Sequence, residues 1–282
     1  ANRVIVEALK LGIVPEEHVE QFMFGRDDEL AYIDSWLDDP GRSVLLLVGS
    51  YGAGKSHLLE FIRRHVLNKG FASAVVQLDA NEAPLHRPKQ VYRRLMETLR
   101  FRDEDGKEAG FASILRNLAK GRLPRSGTGY PMFLTQAIEH MRNLARTQEE
   151  ERAIVRWIMG QDEAGPLKLH DFTTWANVYC HILSGIGHIM VTSLGLRGLV
   201  LVVDEAEVLD MTWGNQYISG SNFLAGLILT CSSATELLTD SQTRSGTHWQ
   251  GVITGLIYGG HSRETRYLWK QPSGLKMILA MT

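Results

Sequence analysis

Short unbroken apolar runs alternate along this chain with longer stretches whose apolar residues recur every three or four positions. Runs of the first kind predict strands buried on both faces, and stretches of the second kind predict amphipathic helices. Residues 44–48 (Val-Leu-Leu-Leu-Val) form the first run. A helix is expected after it over 57–66, because Leu58, Leu59, Ile62 and Val66 share one face. Residues 72–79 read as a second strand, 198–205 as a third, and 224–233 as a fourth that ends in hydroxyl residues. Near the start, residues 1–11 have the spacing of an amphipathic helix, broken before Pro15, and residues 24–30 run into a second helix through Ile33 and Leu37. Strands separated by helices imply right-handed crossovers and a parallel sheet.

The stretch 86–194 is almost entirely helical in pattern, with candidate helices over 86–99, 111–119, 131–145, 148–159 and 172–193. Gly- and Pro-bearing breaks separate them. This divides the chain into an N-terminal part (1–48), a loop and second strand (49–85), a helical insertion (86–194) and a C-terminal part of the sheet (195–282). Residues 241–271 show little periodicity, and 275–280 reads as either a last strand or a helix.

Composition narrows the class. With 44% hydrophobic and 22% charged residues this is an ordinary globular composition, and a net charge of −2 with pI near 6.6 excludes a wholly basic nucleic-acid coat. Cys180 and Cys231 lie outside any metal-ligand spacing and are expected to remain free thiols in a reducing compartment. No apolar run reaches the roughly 18 residues that span a membrane, and no secretory signal is read, so the cytoplasm is the expected location.

The chemistry begins at residues 49–56, Gly-Ser-Tyr-Gly-Ala-Gly-Lys-Ser, which fit the phosphate-loop pattern G-x-x-x-x-G-K-[ST] between a predicted strand and a predicted helix. Glycines let the backbone bring its N–H groups close to an anion, and the new helix points its positive end at the same place. Gly49, Ser50, Tyr51, Gly52, Ala53, Gly54, Lys55, Ser56 and His57 are therefore the candidate nucleotide-binding residues. Lys55 would reach the β- and γ-phosphates of ATP, and the Ser56 hydroxyl would help hold Mg²⁺.

Residues 198–205, Gly-Leu-Val-Leu-Val-Val-Asp-Glu, form the matching Walker B pattern. Such a strand delivers Asp204 as a metal ligand and Glu205 as a general base that polarises the attacking water. Glu207 reads as a surface acid. Ser232 and Ser233, at the end of the predicted 224–230 strand, are candidates for a polar sensor of the γ-phosphate, with a turn cap as the other reading. Asp79 and Asn81 likewise read as a polar switch or as a cap before Pro84. The predicted order places the 224–230 strand between the phosphate-loop strand and the Walker B strand.

Residues 24–30, Phe-Gly-Arg-Asp-Asp-Glu-Leu, resemble the start of many AAA+ and STAND-type ATPases, which implies that Gly25 and Arg26 lie near the nucleotide base; the other reading is an N-capped surface helix whose positive end is favoured by Asp27 and Asp28. No guanine-specific N-K-x-D element is present. From Lys89 to Arg125 ten Lys/Arg face five acids, a local excess suited to a DNA backbone or to a solvated helical face. Arg244, Arg263 and Arg266 are candidate trans-acting arginine fingers.

The segments taken together resemble a narrower family. They are R-V-I-x-x-A-L-x-x-G-x-V-P at 3–15, the Phe24-Gly25-Arg26 segment, G-S-Y-G-A-G-K-S-H at 49–57, A-P-L-H-R-P-K-Q-V-Y at 83–92 and L-V-L-V-V-D-E-A-E at 199–207. Their order is similar to that of the BrxC/BrxD ATP-binding proteins of bacterial BREX phage-exclusion systems, and the A-P-L-H-R-P stretch is the most particular part. The resemblance implies an α/β fold of the three-layer P-loop NTPase type (AAA+/ASCE-like), a parallel sheet with a large helical insertion. It implies a cytoplasmic ATPase with ATP and Mg²⁺ as cofactors, working as a homo-oligomer with other phage-defence proteins, as a motor or switch on DNA through the 89–125 section. The other reading is a STAND-type regulatory switch whose nucleotide state controls protein assembly. After 207 the chain departs from the family pattern, with Ser232-Ser233-Ala234-Thr235-Glu236 where a G-T-P-E-like turn is expected.

Overall fold

The computed structural model describes residues 25–121, 131–143, 145, 147–161, 175–234 and 265–282. The expected helix at 1–11 and the tail at 235–264, with Arg244 and Arg263, lie outside the described residues. Six strands form one sheet: β1 (Val44–Val48), β2 (Ala72–Gln77), β3 (Arg100–Arg102), β4 (Glu108–Gly110), β5 (Leu199–Asp204) and β6 (Leu275–Met281). Their order is β1-β6-β5-β2-β3-β4. The first four of that order run parallel, and β3 and β4 continue the sheet antiparallel to β2.

β5 reads as an unbroken apolar run because both of its faces are covered. On one side Val200 and Val202 meet α1 (Asp27–Asp38) and α2 (Lys55–Asn68) through Ile33, Trp36, Leu37, Leu59 and Ile62. On the other, Leu199, Leu201 and Val203 join the larger core. That core takes in α3 (Pro88–Thr98), α4 (Phe111–Lys120), α5 (Met132–Asn143), α6 (Gln148–Ile158), α7 (Ala176–Thr192) and α8 (Asn215–Cys231). Handedness explains the division. The chain steps away from β1 to reach β2 and then steps back through β5 to β6. Right-handed crossovers in opposite directions leave their helices on opposite faces.

Three sequence expectations need correction. Residues 224–230 are part of α8 and not a strand; the buried positions Phe223, Leu227, Thr230 and Cys231 follow the helical period. The strand between β1 and β5 is instead β6, formed by residues that sequence left open between strand and helix. The 86–194 stretch is not wholly helical either, since β3 and β4 lie within it, and its helices pack on the sheet: Val91, Leu95 and Ile186 share the core with Leu201 and Met277. Its helices otherwise stand where the apolar spacing places them.

The amino end of β6 is held by close backbone contact. Gly274 has φ +66°, and a Cβ there would lie 2.4 Å from the Gly187 carbonyl oxygen on α7. On the opposite face the Lys276 ammonium donates to the carbonyls of Trp36 (2.9 Å), Asp39 (2.7 Å) and Arg42 (2.7 Å), and stands over the Trp36 ring. This one side chain ties the end of α1 to the sheet. Lys276→Ala strands three carbonyls and is expected to cost about 2–3 kcal/mol in chemical denaturation. A loss under about 0.5 kcal/mol would mean that water replaces the ammonium freely. Cys180 and Cys231 are buried free thiols, and burial pushes the Cys231 thiol up to about 12. Among the described residues no helix is long and apolar enough to cross a membrane.

Candidate functional site

All four parallel strands end at one edge, and the glycine loop lies there. Gly49 donates its N–H to the Met281 carbonyl (3.2 Å), and the Ala53 N–H closes a turn on the Ser50 carbonyl (3.1 Å). Gly52 and Gly54 take φ of +80° and +78°, left-handed backbone that glycine adopts without strain. The loop from Ser50 to Gly54 is exposed, as is Ser56, while Lys55 and His57 are half-buried. α2 begins at Lys55 without a side-chain cap, so its first N–H groups, which have no partner within the helix, open towards the loop.

The Gly25-Arg26 segment does lie against this loop. Gly25, with φ +68°, leads into α1, and the Arg26 guanidinium donates to the Ala53 carbonyl. A Cβ on Gly54 would stand 3.1 Å from Arg26 Nη2, so the loop glycine makes room for the arginine. Beside this contact is a cavity of about 440 Å³ between α1 and β1, lined by Arg26, Tyr32, Leu45, Leu47, Lys55 and Leu58.

The Lys55 ammonium donates to the Gly49 carbonyl (2.7 Å) and to the Thr282 hydroxyl (2.8 Å). Thr282 follows β6, and its N–H donates to Glu207 Oε1 (3.0 Å). Asp204 ends β5 as a buried carboxylate whose Oδ1 accepts the Glu205 N–H (2.9 Å). Glu205 is half-buried and one of two non-glycine described residues with positive φ, at 59°. Such backbone is uncommon outside glycine and is retained where surrounding structure imposes it.

The electrostatics follow from this crowding. Burial raises the Asp204 carboxyl above its ordinary value, with Glu207 adding to the effect and Lys55 opposing it. Glu205 is raised as well, by burial and then by Glu207 and Asp204. Burial also acts against the Glu207 carboxylate, yet the bonds from Thr282 and the nearness of Lys55 hold it below its ordinary value. Glu207 is thus part of the site and not a surface acid. Neither it nor Thr282 carries a motif, and no sequence signal singles out Thr282.

Ser232 and Ser233 are not at this edge. α8 runs back across the sheet from the carboxyl side, and the Ser233 hydroxyl accepts from the Ser273 N–H (2.9 Å), two residues before β6 begins. They therefore stand at the amino ends of the strands, about 20 Å from the loop by the length of β6. The position beside the loop that a sensor strand would supply is taken by Thr282. Asp79 caps its own turn, its Oδ1 accepting the N–H groups of Asn81 (2.7 Å) and Glu82 (2.7 Å). Arg266 is exposed beside the buried Tyr267.

The basic section is largely engaged internally. Arg93 pairs with Glu97 (3.0 Å), Arg94 with Glu82 and with Glu97 (3.2 Å), Arg102 donates to Asn68 (2.9 Å), and Arg116 pairs with Glu151 (2.5 Å). Lys89 is buried. Of these partners only Glu82 and Glu151 are acids from outside the section, so most of its positive excess remains, while a phosphate backbone would have to displace the acids bonded to Arg93, Arg94 and Arg116.

Fold and site together define a mixed α/β protein with a mostly parallel six-stranded sheet, whose carboxyl edge gathers a glycine loop, an ammonium and three carboxylates. Residues 1–121 match the family model described as BREX system ATP-binding protein BrxC/D. The resemblance read from the sequence therefore holds across the glycine loop and the A-P-L-H-R-P stretch, and the matched part ends before β5. No curated protein and no solved structure matches the chain.

Proposed function

We propose that the chain binds ATP with Mg²⁺ at the carboxyl edge of a P-loop NTPase fold of the AAA+/ASCE type, and hydrolyses it as a component of a phage-defence system. The observation that carries this is the meeting of the Lys55 ammonium with the glycine loop on one side and the Thr282–Glu207 pair on the other, beside Asp204 and Glu205. The family description supports ATP as the nucleotide. Loop and α2 N–H groups, with Lys55, take the phosphates. The cavity between α1 and β1 accepts the base, and Tyr32 with the leucines supplies its apolar walls.

The oxygen donors present suit Mg²⁺. Asp204 supplies a buried carboxylate, Ser56 an exposed hydroxyl one residue into α2, and both belong to the edge that holds the phosphates. Among the described residues no group of three or more His, Cys, Asp or Glu is arranged to hold a metal alone. Mg²⁺ is commonly held by one or two carboxylates together with phosphate oxygens. When bound there, Mg²⁺ neutralises charge on the phosphates. Glu205, raised by burial and by its acidic neighbours, is the base that takes a proton from the attacking water.

For the work that turnover drives, a DNA-associated motor or switch is the first reading, resting on the family resemblance. The internal ion pairs of the 89–120 section favour the second, a regulatory switch whose nucleotide state controls assembly with itself or with other defence proteins. Steady-state ATPase assays over a range of protein concentration, with and without duplex DNA at two salt concentrations, separate them. Stimulation by DNA that collapses as salt rises supports the motor. Activity that follows oligomer formation and ignores DNA supports the regulatory switch. Absence of Mg²⁺-dependent ATP hydrolysis under all conditions refutes the enzymatic reading.

A further inference from the structure

We infer that Glu207 is a positioning residue which, acting through Thr282, sets the preference of this site for a nucleoside triphosphate over the diphosphate. The inference rests on the nucleotide-binding reading above and deepens it. Glu207 lies three residues beyond the Walker B aspartate, on the short 3₁₀ turn Ala206–Met211, and takes no part in the motif itself. One carboxylate oxygen accepts the Thr282 N–H, and the other is buried without a hydrogen-bond partner. Two acids stand close by, Asp204 and Glu205, and one ammonium, Lys55. A carboxylate kept in that company is costly unless its bonds are needed.

What the bond to Thr282 does follows from the order of the sheet. β6 lies between β1 and β5, so the residue after β6 stands between the glycine loop and the two Walker B carboxylates. A phosphate chain held by the loop would run towards this place, and the terminal phosphate of a triphosphate would come nearest to it. Thr282 presents its hydroxyl there, already in contact with Lys55. The peptide between Met281 and Thr282 is held on one edge by the loop, whose Gly49 N–H donates to the Met281 carbonyl. Glu207 holds the other edge of the same peptide from the neighbouring turn, by accepting the Thr282 N–H.

The test is calorimetric titration of Mg-ATP and Mg-ADP into the full chain, for wild type, Glu207→Ala, Glu207→Gln, Thr282→Ala and the Glu207→Ala/Thr282→Ala pair. Glu207→Ala is expected to weaken ATP about 10-fold, the scale of one hydrogen bond to a charged group, and to leave ADP within about twofold. Thr282→Ala should lose the same ATP-to-ADP ratio, and the double variant should lose no more than either single one, because both changes break one chain of contacts. Glu207→Gln, whose amide oxygen still accepts the Thr282 N–H, should keep most of the ratio. If Glu207→Ala does not fold, the comparison of Thr282→Ala with wild type decides. An unchanged ratio in Glu207→Ala or in Thr282→Ala, or an equal loss of both nucleotides, overturns the inference while leaving nucleotide binding intact. A wild-type chain that binds neither nucleotide overturns the proposed function, and this inference with it.

Discussion

Replacing Glu205 by glutamine is expected to leave ATP binding within about twofold of wild type and to lower turnover at least about 100-fold, the lower end of what a positioned base contributes. The expectation comes from the contrast between the two residues that end β5. Asp204 is buried, its side chain turned back to accept the Glu205 N–H, and so it belongs to the frame of the site. Glu205 is half-buried and held at φ 59°, which turns the chain away from the strand direction. Its carboxyl is raised by burial, by Glu207 and by Asp204, each of which makes it a better proton acceptor near neutral pH than an ordinary glutamate. Glutamine keeps the size and relieves repulsion among three acids, so the fold should not suffer. Equilibrium binding of a fluorescent ATP analogue beside a steady-state phosphate-release assay provides the check. Equal turnover in the two proteins would remove Glu205 from the chemistry, and a parallel loss of binding would make it a structural residue.

The other large effect is expected at Lys55. Lys55→Ala should weaken ATP binding by at least about 100-fold, roughly two charge-assisted hydrogen bonds at 1.5–3 kcal/mol each. The ammonium already holds the positions that phosphate oxygens would compete for, bonded to the Gly49 carbonyl and to the Thr282 hydroxyl. These bonds draw the loop and the end of β6 together, but the Gly49 N–H to Met281 carbonyl bond does so as well. The variant should therefore remain folded, with a melting temperature close to that of wild type. Calorimetric titration with Mg-ATP measures the loss. Affinity retained within about threefold would place the phosphates away from the loop and undo the site described here.

These two predictions rest on residues that were legible from the sequence, whereas the partners that give them their geometry were not. The loop at 49–56 announces itself because a fixed spacing of glycines, lysine and serine is the whole of its geometry, and α2 follows from the spacing of Leu58, Leu59, Ile62 and Val66. β5 is equally plain, since a strand covered on both faces must be apolar throughout. The run at 224–230 carries the same composition and is a helix. A short apolar run fits a buried strand and a buried helix alike, and what decides is which neighbours it meets. α8 meets Tyr267, against which Gly226 packs so closely that a Cβ would lie 2.5 Å from the ring.

By itself the sequence determined the glycine loop between its strand and helix, which strand brings Asp204 and Glu205 to the same edge, and the position of most helices. Each of these depends on residues close together in the chain. The tertiary structure alone decided that β6 stands between the two motif strands, that Ser232 and Ser233 lie at the far end of the sheet, and that Thr282 and Glu207 complete the surroundings of Lys55. Thr282 is 227 residues from Lys55 and 75 from Glu207. Contacts over such separations leave no period or spacing in the sequence. They exist because parallel strands in register end at a common edge, and so bring together residues that the chain itself keeps far apart.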